Sequence, residues 1–231
     1  MQVAALRETV EQFGGALSRG YETGLEPLYQ TVTNWQAAWP PATPADLGAV
    51  LDRALTNDRS RAYWATEAYF PKEVLLEMAD FAPEALNMAF GRLFNPGVEL
   101  GDRLSGFVFY LDEIHAELQR AAPSHARKRH ATHYPADYRA PSLYCALRYP
   151  ATHAYLEPEV YLRALGRLKA PKVGPVADPT RFAKSVKVAM AFLAKDERAL
   201  EAHAERLRPG DYAEPCALLA SEYFRFLADG G

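Results

Sequence analysis

Cysteine is scarce in this sequence, which has only Cys145 and Cys216 in 231 residues. Two cysteines so far apart do not suggest a disulfide framework, and we expect ordinary buried or half-buried thiols of a reducing compartment. Long apolar runs are also missing, because no window approaches the roughly eighteen uninterrupted apolar residues of a transmembrane helix. The N-terminal amphipathic pattern carries charges, unlike a signal peptide. These absences predict a soluble, cytoplasmic protein.

Motifs for nucleotide hydrolysis are missing as well. The stretch "GRLKAPKVG" at 166–174 has glycines and lysines, but it lacks the GxxxxGKS or GxxxxGKT order that places backbone N–H groups around a phosphate. No serine lies in the context of a nucleophile elbow. We therefore expect no Walker A motif and no hydrolase in this chain, and we predict a non-enzymatic protein without a cofactor.

Helical patterns dominate what is present. Residues 3–19 repeat apolar side chains at spacings of three and four, and residues 95–121 do so over the greatest length in the chain. Pro71 and Pro83 are expected at the first position of two helices, where a missing N–H group costs nothing. Thr43 is the expected N-cap of the helix that follows it. The sequence predicts a mainly α, multi-helix globular fold.

The central segment differs from the rest of the chain. Prolines break residues 121–158 into short pieces, and the aromatic residues there lose helical spacing. Strand patterns of period two are weak throughout, and we expect loops with one short helix or strand at 142–149, "SLYCALRY". Any sheet should therefore be small and confined to this loop-rich segment.

Charge is distributed unevenly along the chain, whose overall net charge is −3. Residues 121–190 contain twelve Lys or Arg against four Asp or Glu, a net charge of +8. The remainder contains fourteen against twenty-five and carries −11. Such segregation favours a polyanionic partner if the cations share one exposed surface. The alternative is that basic and acidic segments pack together and neutralise each other.

Basic residues alternate with tyrosines in this segment, above all in "HARKRHATHYPADYRAPSLYCALRYPATHAY" at 125–155. Cations neutralise nucleic-acid phosphates and flat rings stack on unpaired bases, so the combination predicts DNA binding. The predicted phosphate contacts are Arg127, Lys128, Arg129, Arg139, Arg148, Lys169, Lys172, Lys184 and Lys187. The base-stacking candidates are Tyr134, Tyr138 and Tyr149. Tyr144 and Tyr155 lie beside aliphatic residues and are expected in the core.

Histidines and carboxylates form weaker patterns. The stretch "HARKRHATH" at 125–133 spaces three histidines by five and three residues, but the three cations within it oppose a divalent ion, and no metal site is expected. On the longest predicted helix, Glu113 and Glu117 share a face near His115, an arrangement that can serve acid–base catalysis. The solvated face of an amphipathic helix explains these residues better.

Three stretches resemble the N-terminal region of some McrB-type AAA+ proteins, the GTP-driven subunits of modification-dependent restriction systems. They are "EALNMAFGRLFNPGVELGDRLSGFVFYLDEI" at 84–114, "SLYCALRYPATHAYLEPEVYLRALG" at 142–166 and "CALLASEYFRFLAD" at 216–229. The most specific match is "LRYPATHAYLEPEVY", carried by Arg148, Tyr149, Pro150 and Tyr155. The resemblance covers about residues 70–228 and leaves residues 1–69 unmatched.

The resemblance implies a DNA-recognition domain whose motor lies outside this chain. In McrB-type systems such a region is similar to a targeting module, which often flips a modified base into an aromatic pocket. The chain has no Walker motif, so we expect an excised domain or separate subunit of a restriction or phage-defence system. Its expected partners are DNA, methylated or not, an AAA+ motor and a nuclease. The expected parts are a helical segment, 1–69, and a McrB-like domain, 70–231, unless both form one continuous domain.

A protein-interaction adaptor is the alternative to DNA recognition. Its acidic helices would dock an AAA+ motor or nuclease subunit, with Trp35 or Trp39 exposed as an anchor, although both are typical core residues. Salt separates the two functions, because a phosphate-driven complex weakens steeply with ionic strength. A stand-alone enzyme using Glu113, His115 and Glu117 is the third alternative and needs a cleft that shifts their pKa values.

Overall fold

The structure is a computed structural model that describes residues 3–40, 44, 46–57, 59, 71–121, 138–171 and 173–231. Within these ranges the chain forms eleven α-helices and no strand, which confirms the predicted mainly α, multi-helix fold. The helices are α1 (Val3–Leu17), α2 (Pro27–Ala38), α3 (Leu47–Leu55), α4 (Pro71–Phe81), α5 (Pro83–Leu93), α6 (Leu100–Ala121), α7 (Arg139–Arg148), α8 (Pro158–Arg167), α9 (Pro179–Leu193), α10 (Glu197–Arg206) and α11 (Leu218–Ala228). None of the described helices is long and apolar enough to cross a membrane.

Prolines and an aspartate mark the starts of several helices. Pro71 and Pro83 are the first residues of α4 and α5, which confirms both predicted starts. The predicted cap at Thr43 is wrong, and Thr43 itself lies outside the described residues. Helix α3 instead starts after Asp46, whose carboxylate accepts a hydrogen bond from the Ala49 N–H at 2.9 Å. A carboxylate at this position accepts a hydrogen bond from a free N–H group and interacts favourably with the positive end of the helix dipole.

The short element expected at 142–149 is a helix, α7, and it belongs to the interior. Tyr138 precedes it with a φ of 69°, in the left-handed region that a tyrosine rarely adopts. All residues from Ala140 to Leu147 are buried. Tyr144 and Tyr155 are buried as expected. Residues 122–137 of the predicted loop-rich segment lie outside the described part of the chain, and residue 121 ends α6.

A first hydrophobic cluster joins helices α2 to α7. Its centre is aromatic: the indole rings of Trp35 and Trp39 stack with their centroids 4.7 Å apart, and the ring of Phe90 lies 5.1 Å from that of Trp39. Trp35 and Trp39 are four residues apart, so the last turn of α2 places both rings on one face. The exposed fractions of Trp35 and Trp39 are 0% and 6%, and the expectation of an exposed tryptophan anchor is therefore wrong.

A second hydrophobic cluster joins α1 with helices α8 to α11. The ring of Phe13 on α1 lies 5.7 Å from that of Tyr223 on α11, and Tyr161 on α8 lies 5.0 Å from Phe182 on α9. Helix α1 thus packs against the last part of the chain, whereas α2 and α3 pack in the first cluster. Each cluster contains residues from both sides of position 70, the boundary between the two expected parts.

A buried charge network connects α11 with α2 and α10. Glu222 is fully buried, and its carboxylate accepts hydrogen bonds from the hydroxyls of Thr23 at 2.8 Å and Tyr29 at 3.0 Å. The Arg206 guanidinium forms an ion pair with Glu222 and lies 3.3 Å from the Glu26 carboxylate. Burial raises the pKa of Glu222, and the charge of Arg206 opposes that rise. The network gives a buried charge its partners and fixes α11 against two other helices.

Candidate functional site

Five exposed cations lie on α8, the turn after it and α9. Arg167 donates hydrogen bonds to the carbonyls of Gly230 and Gly231. We name the other four the α8–α9 basic surface: Arg163, Lys169, Lys184 and Lys187. None of their side chains forms an ion pair with any residue that the structure describes. Helices α8 and α9 are neighbours, since the hydroxyls of Tyr161 and Ser185 lie 2.8 Å apart. The positive charge of this surface is therefore not neutralised by the acidic segments whose positions are described.

The periodicity of α9 explains why its two lysines face the solvent. Phe182, Val186 and Ala189 are buried in the second cluster. Lys184 and Lys187 are three residues apart and lie on the opposite, exposed face. The two lysines thus lie together on one face, and their contact with phosphate stays a prediction.

Two other predicted phosphate contacts have partners within the protein. Arg139, at the start of α7, forms an ion pair of 2.5 Å with the carboxylate of Glu159 on α8. The half-buried guanidinium of Arg148 lies 5.8 Å from the centre of the Tyr149 ring, a cation–π distance. Both side chains therefore already contact another side chain of the protein. The remaining predicted contacts lie outside the described ranges: Arg127, Lys128, Arg129 and Lys172.

The predicted base-stacking tyrosines have internal contacts where the structure describes them. The hydroxyl of Tyr149 donates a hydrogen bond to the Phe94 carbonyl at 2.6 Å, and its ring lies 5.4 Å from that of His153. Tyr138 is half-buried and packs against both hydrophobic clusters. Stacking on a base would require these contacts to open, and it stays a prediction. Tyr134 is not among the described residues.

A cleft of about 250 Å³ lies beside the α8–α9 basic surface, between α6, α7, α9 and the turn at 152–156. We name it the α6–α9 cleft. Leucine, alanine, proline, phenylalanine and valine side chains form most of its wall. The polar side chains that reach the wall belong to Ser142, Cys145, Thr152, His153 and Lys187. Because Lys187 belongs to both features, the cleft and the basic surface meet at this residue.

A buried arginine that was not among the predicted site residues lies behind the wall of the cleft. Arg103 is only 4% exposed, and its Nε donates a hydrogen bond to the Leu93 carbonyl at 2.6 Å. Its two terminal nitrogens lie 3.4 Å from His153 Nε2 and 3.6 Å from Cys145 Sγ. One feature of the sequence indicates this burial: Arg103 lies four residues before Phe107, within the apolar stripe of α6.

Burial and neighbouring cations set the protonation states at the cleft. Burial, together with the charges of Arg103 and Lys187, lowers the pKa of His153 to about 4, so its ring is neutral near pH 7. Burial raises the pKa of the Cys145 thiol to about 12, and it does the same for Cys216. Both thiols are buried, which confirms their predicted location. The cleft therefore holds a neutral ring and a neutral thiol beside two positive charges.

The residues considered for acid–base catalysis lie on the solvent side of α6. Glu113 and Glu117 are exposed, whereas His115 is half-buried and burial lowers its pKa. None of the three lines the α6–α9 cleft or a second cavity of about 470 Å³ beside Arg206. Among the described residues, no three His, Cys, Asp or Glu side chains come together as metal ligands. Neither of these two cavities therefore encloses this trio.

Comparisons with known proteins found no match: no protein-family model fits the chain, and no curated protein or solved structure is significantly similar to it. The resemblance to McrB-type proteins therefore depends on the sequence motifs alone and stays a prediction.

Proposed function

We propose that this protein is a non-enzymatic DNA-recognition domain that contacts the phosphate backbone of duplex DNA through the α8–α9 basic surface. The observation that supports the proposal is the exposure of four cations without ion-pair partners among the described residues. The acidic residues nearest in sequence have other roles: Glu159 pairs with Arg139, Glu157 pairs with Arg225, and the Asp178 carboxylate caps α9 by accepting a hydrogen bond from the Thr180 N–H. The surface is therefore able to attract a polyanion.

Phosphate contacts of this kind determine affinity and orientation but carry no sequence information directly. Each phosphate that a Lys or Arg neutralises releases condensed counterions, and the logarithm of the binding constant falls by about 0.9 per contact for each tenfold rise in salt. The four cations of the α8–α9 basic surface together predict a slope of about −3.6. Phosphate contacts from the predicted residues outside the described ranges would make this salt slope steeper: Arg127, Lys128, Arg129 and Lys172.

From the McrB-type resemblance of its sequence motifs we infer that the domain acts in a restriction or phage-defence system. In such a system the domain would select DNA, and a separate AAA+ motor and nuclease would act on it afterwards. Reading a modified base would require an aromatic pocket, for which Tyr134, Tyr138 and Tyr149 are the candidates. Tyr138 and Tyr149 make internal contacts, so phosphate binding comes before base reading in this proposal.

Binding of the purified chain to a fluorescent duplex over a range of salt concentrations tests the proposal. A Lys184→Gln/Lys187→Gln variant loses two phosphate contacts, so its salt slope should become shallower by about two, with weaker binding to every sequence. The matched control is Arg53→Gln/Arg92→Gln, which removes two exposed cations from α3 and α5 and changes the net charge equally. Unmodified, 5-methylcytosine and 5-hydroxymethylcytosine duplexes are compared in parallel.

The control should bind DNA with the slope of the original protein. An unchanged affinity of the Lys184→Gln/Lys187→Gln variant would show that the α8–α9 basic surface is not the DNA contact. Equal losses in the two variants would attribute binding to net charge rather than to this surface. A preference among the three duplexes would support base reading and make Tyr138 and Tyr149 the next residues to replace.

A protein-interaction adaptor is the second candidate, with anchors other than the buried tryptophans. Met88 on α5 and Phe109 on α6 are each 61% exposed. Large apolar side chains in solvent are typical of contact surfaces when they cluster. A complex formed through them would respond little to salt. Salt-insensitive binding to an AAA+ motor or nuclease subunit, with no DNA binding at low salt, would favour this function.

A further inference from the structure

The wall of the α6–α9 cleft is apolar, which DNA-backbone binding does not require. The volume of the cleft is about 250 Å³. Leu104, Leu156, Phe182 and Val186 are among the side chains that form it. Water gains little at such a wall because it finds few hydrogen-bond partners there. A ligand with a short apolar chain or a small ring suits this space.

The charges that reach the cleft are of one sign. Arg103 is buried, and no carboxylate in the described ranges pairs with it. Its hydrogen-bond partners are a carbonyl oxygen, an imidazole nitrogen and a thiol sulfur, and the Tyr149 ring lies 6.0 Å from its guanidinium carbon, so all of these neighbours are neutral. A buried charge without an opposite charge is costly. Because His153 and Cys145 separate Arg103 from the cleft, its charge acts there through a single layer of side chains.

A second positive charge and a hydroxyl group lie at the mouth of the cleft. Lys187 is exposed and lines the cleft directly. The Arg103 guanidinium can only donate, so His153 Nε2 accepts from it and the ring proton is on Nδ1. The His153 Nδ1–H group then donates a hydrogen bond to Thr152 Oγ1 at 2.8 Å. The Thr152 Oγ1 lies 3.5 Å from the Tyr149 carbonyl oxygen, and its proton can turn towards an anion instead.

We propose that the α6–α9 cleft binds an amphipathic carboxylate, with its apolar chain or ring inside the cleft and its carboxylate beside Lys187 and Thr152, near the charge of Arg103. Such a ligand supplies the missing negative charge and removes apolar surface from water. This site goes beyond DNA recognition, since it takes a small molecule and shares only Lys187 with the phosphate surface.

Four small molecules separate the contribution of charge from that of apolar contact: octanoate, 1-octanol, octylamine and acetate. Isothermal titration calorimetry with the full chain, in the absence of DNA, measures each affinity. Octanoate should bind at least about tenfold tighter than 1-octanol, because a charge-assisted hydrogen bond is stronger than a neutral one. Acetate and octylamine should show no binding in the same range. Equal affinities for octanoate and 1-octanol, tighter binding of octylamine, or no binding of octanoate would overturn the proposal.

Two variants on α9 test the charged end of the cleft. Lys187→Met removes the ammonium group that lines the cleft, and it should weaken octanoate binding about tenfold while leaving 1-octanol unaffected. Lys184→Met is the matched control, because Lys184 lies on the same exposed face but does not line the cleft. It should bind octanoate as the original protein does. Equal losses in both variants would assign the effect to overall charge and overturn the site.

A third variant tests the apolar part. Ala183→Phe places a ring in the cleft, whose wall includes Ala183, and it should abolish binding of octanoate and 1-octanol together. Circular dichroism and the melting temperature show whether this variant keeps its fold, and the two lysine variants test the proposal if it does not. Unchanged octanoate binding by folded Ala183→Phe would place the ligand elsewhere. Because DNA is absent, loss of octanoate binding is distinguishable from failure of the proposed DNA contact.

Discussion

Replacing Arg206 by methionine would leave the buried carboxylate of Glu222 without its ionic partner. In the folded protein the Arg206 guanidinium pairs with Glu222, whose side chain is 0% exposed. The hydroxyls of Thr23 and Tyr29 would remain as donors. Two neutral donors only partly offset the desolvation of a full negative charge. We therefore expect the Arg206→Met protein to be markedly less stable.

The expected loss in the free energy of unfolding is about 3 kcal/mol at neutral pH, the lower end of the range for breaking a buried ion pair. The lower end applies because the Arg206 side chain is 18% exposed and two hydroxyl donors remain. The matched control is Lys72→Met, which breaks a pair with Asp52. The Asp52 side chain is 59% exposed, so the control should cost less than about 1 kcal/mol.

A double-mutant cycle isolates the Arg206–Glu222 pair. Glu222→Gln removes the buried negative charge at nearly constant size, so the sum of the two single losses should exceed the loss in the double variant by about 2 kcal/mol. The deficit of Arg206→Met should also shrink as the pH falls from about 8 to about 5. Burial raises the pKa of Glu222 above its ordinary 4.5. Without the guanidinium the folded state therefore binds a proton that the unfolded state lacks.

Urea denaturation, followed by far-UV circular dichroism and tryptophan fluorescence, measures these free energies. The two signals should report the same transition, and the m values should agree among variants, before the costs are compared. A cost for Arg206→Met no larger than that for Lys72→Met would refute the reasoning. Strictly additive single losses in the cycle would do the same.

Two further predictions concern buried rings. Burial lowers the pKa of His153 and of His203 to about 4, from an ordinary 6.5. The unfolded state thus takes up protons first, and the free energy of unfolding should fall by about 3 kcal/mol per histidine between about pH 6.5 and pH 4. Urea titrations at several pH values check this, and His203→Gln should lose less stability over that range than the original protein. Trp39→Ala removes a ring that contacts Trp35 and Phe90 and should cost about 3–5 kcal/mol, and a cost below about 1 kcal/mol would contradict its core position.

Particular helices show how much of the fold could be predicted. The starts of α4 and α5 at Pro71 and Pro83 could be predicted from the sequence, because proline restricts its own backbone and its preference for the first helical position depends only on residues close in sequence. The N-cap of α3 could not be predicted, since Thr43 and Asp46 are both suitable residue types. Only the structure shows the Asp46 carboxylate accepting a hydrogen bond from the Ala49 N–H. The stretch 142–149 stayed ambiguous because a short apolar run fits a helix or a strand.

The candidate site also has features that the sequence predicts and features that it does not. Spacing along α9 places Lys184 and Lys187 on one face, and this information is local to the helix. The pair between Arg139 and Glu159 crosses from α7 to α8, so no spacing rule reveals that this cation is engaged. For the same reason the hydrogen bond from Tyr149 to a carbonyl 55 residues away was not predictable.

By itself, the sequence determined a mainly α fold, two buried thiols and an uneven charge, because these follow from composition and from the spacing of near neighbours. Only the tertiary structure decided that Arg103 meets Cys145 and His153, which lie 42 and 50 residues further along the chain. It also decided which cations stay exposed. The physical reason is that helical spacing specifies which face is apolar, whereas the partner of that face is selected by packing and desolvation across the whole chain.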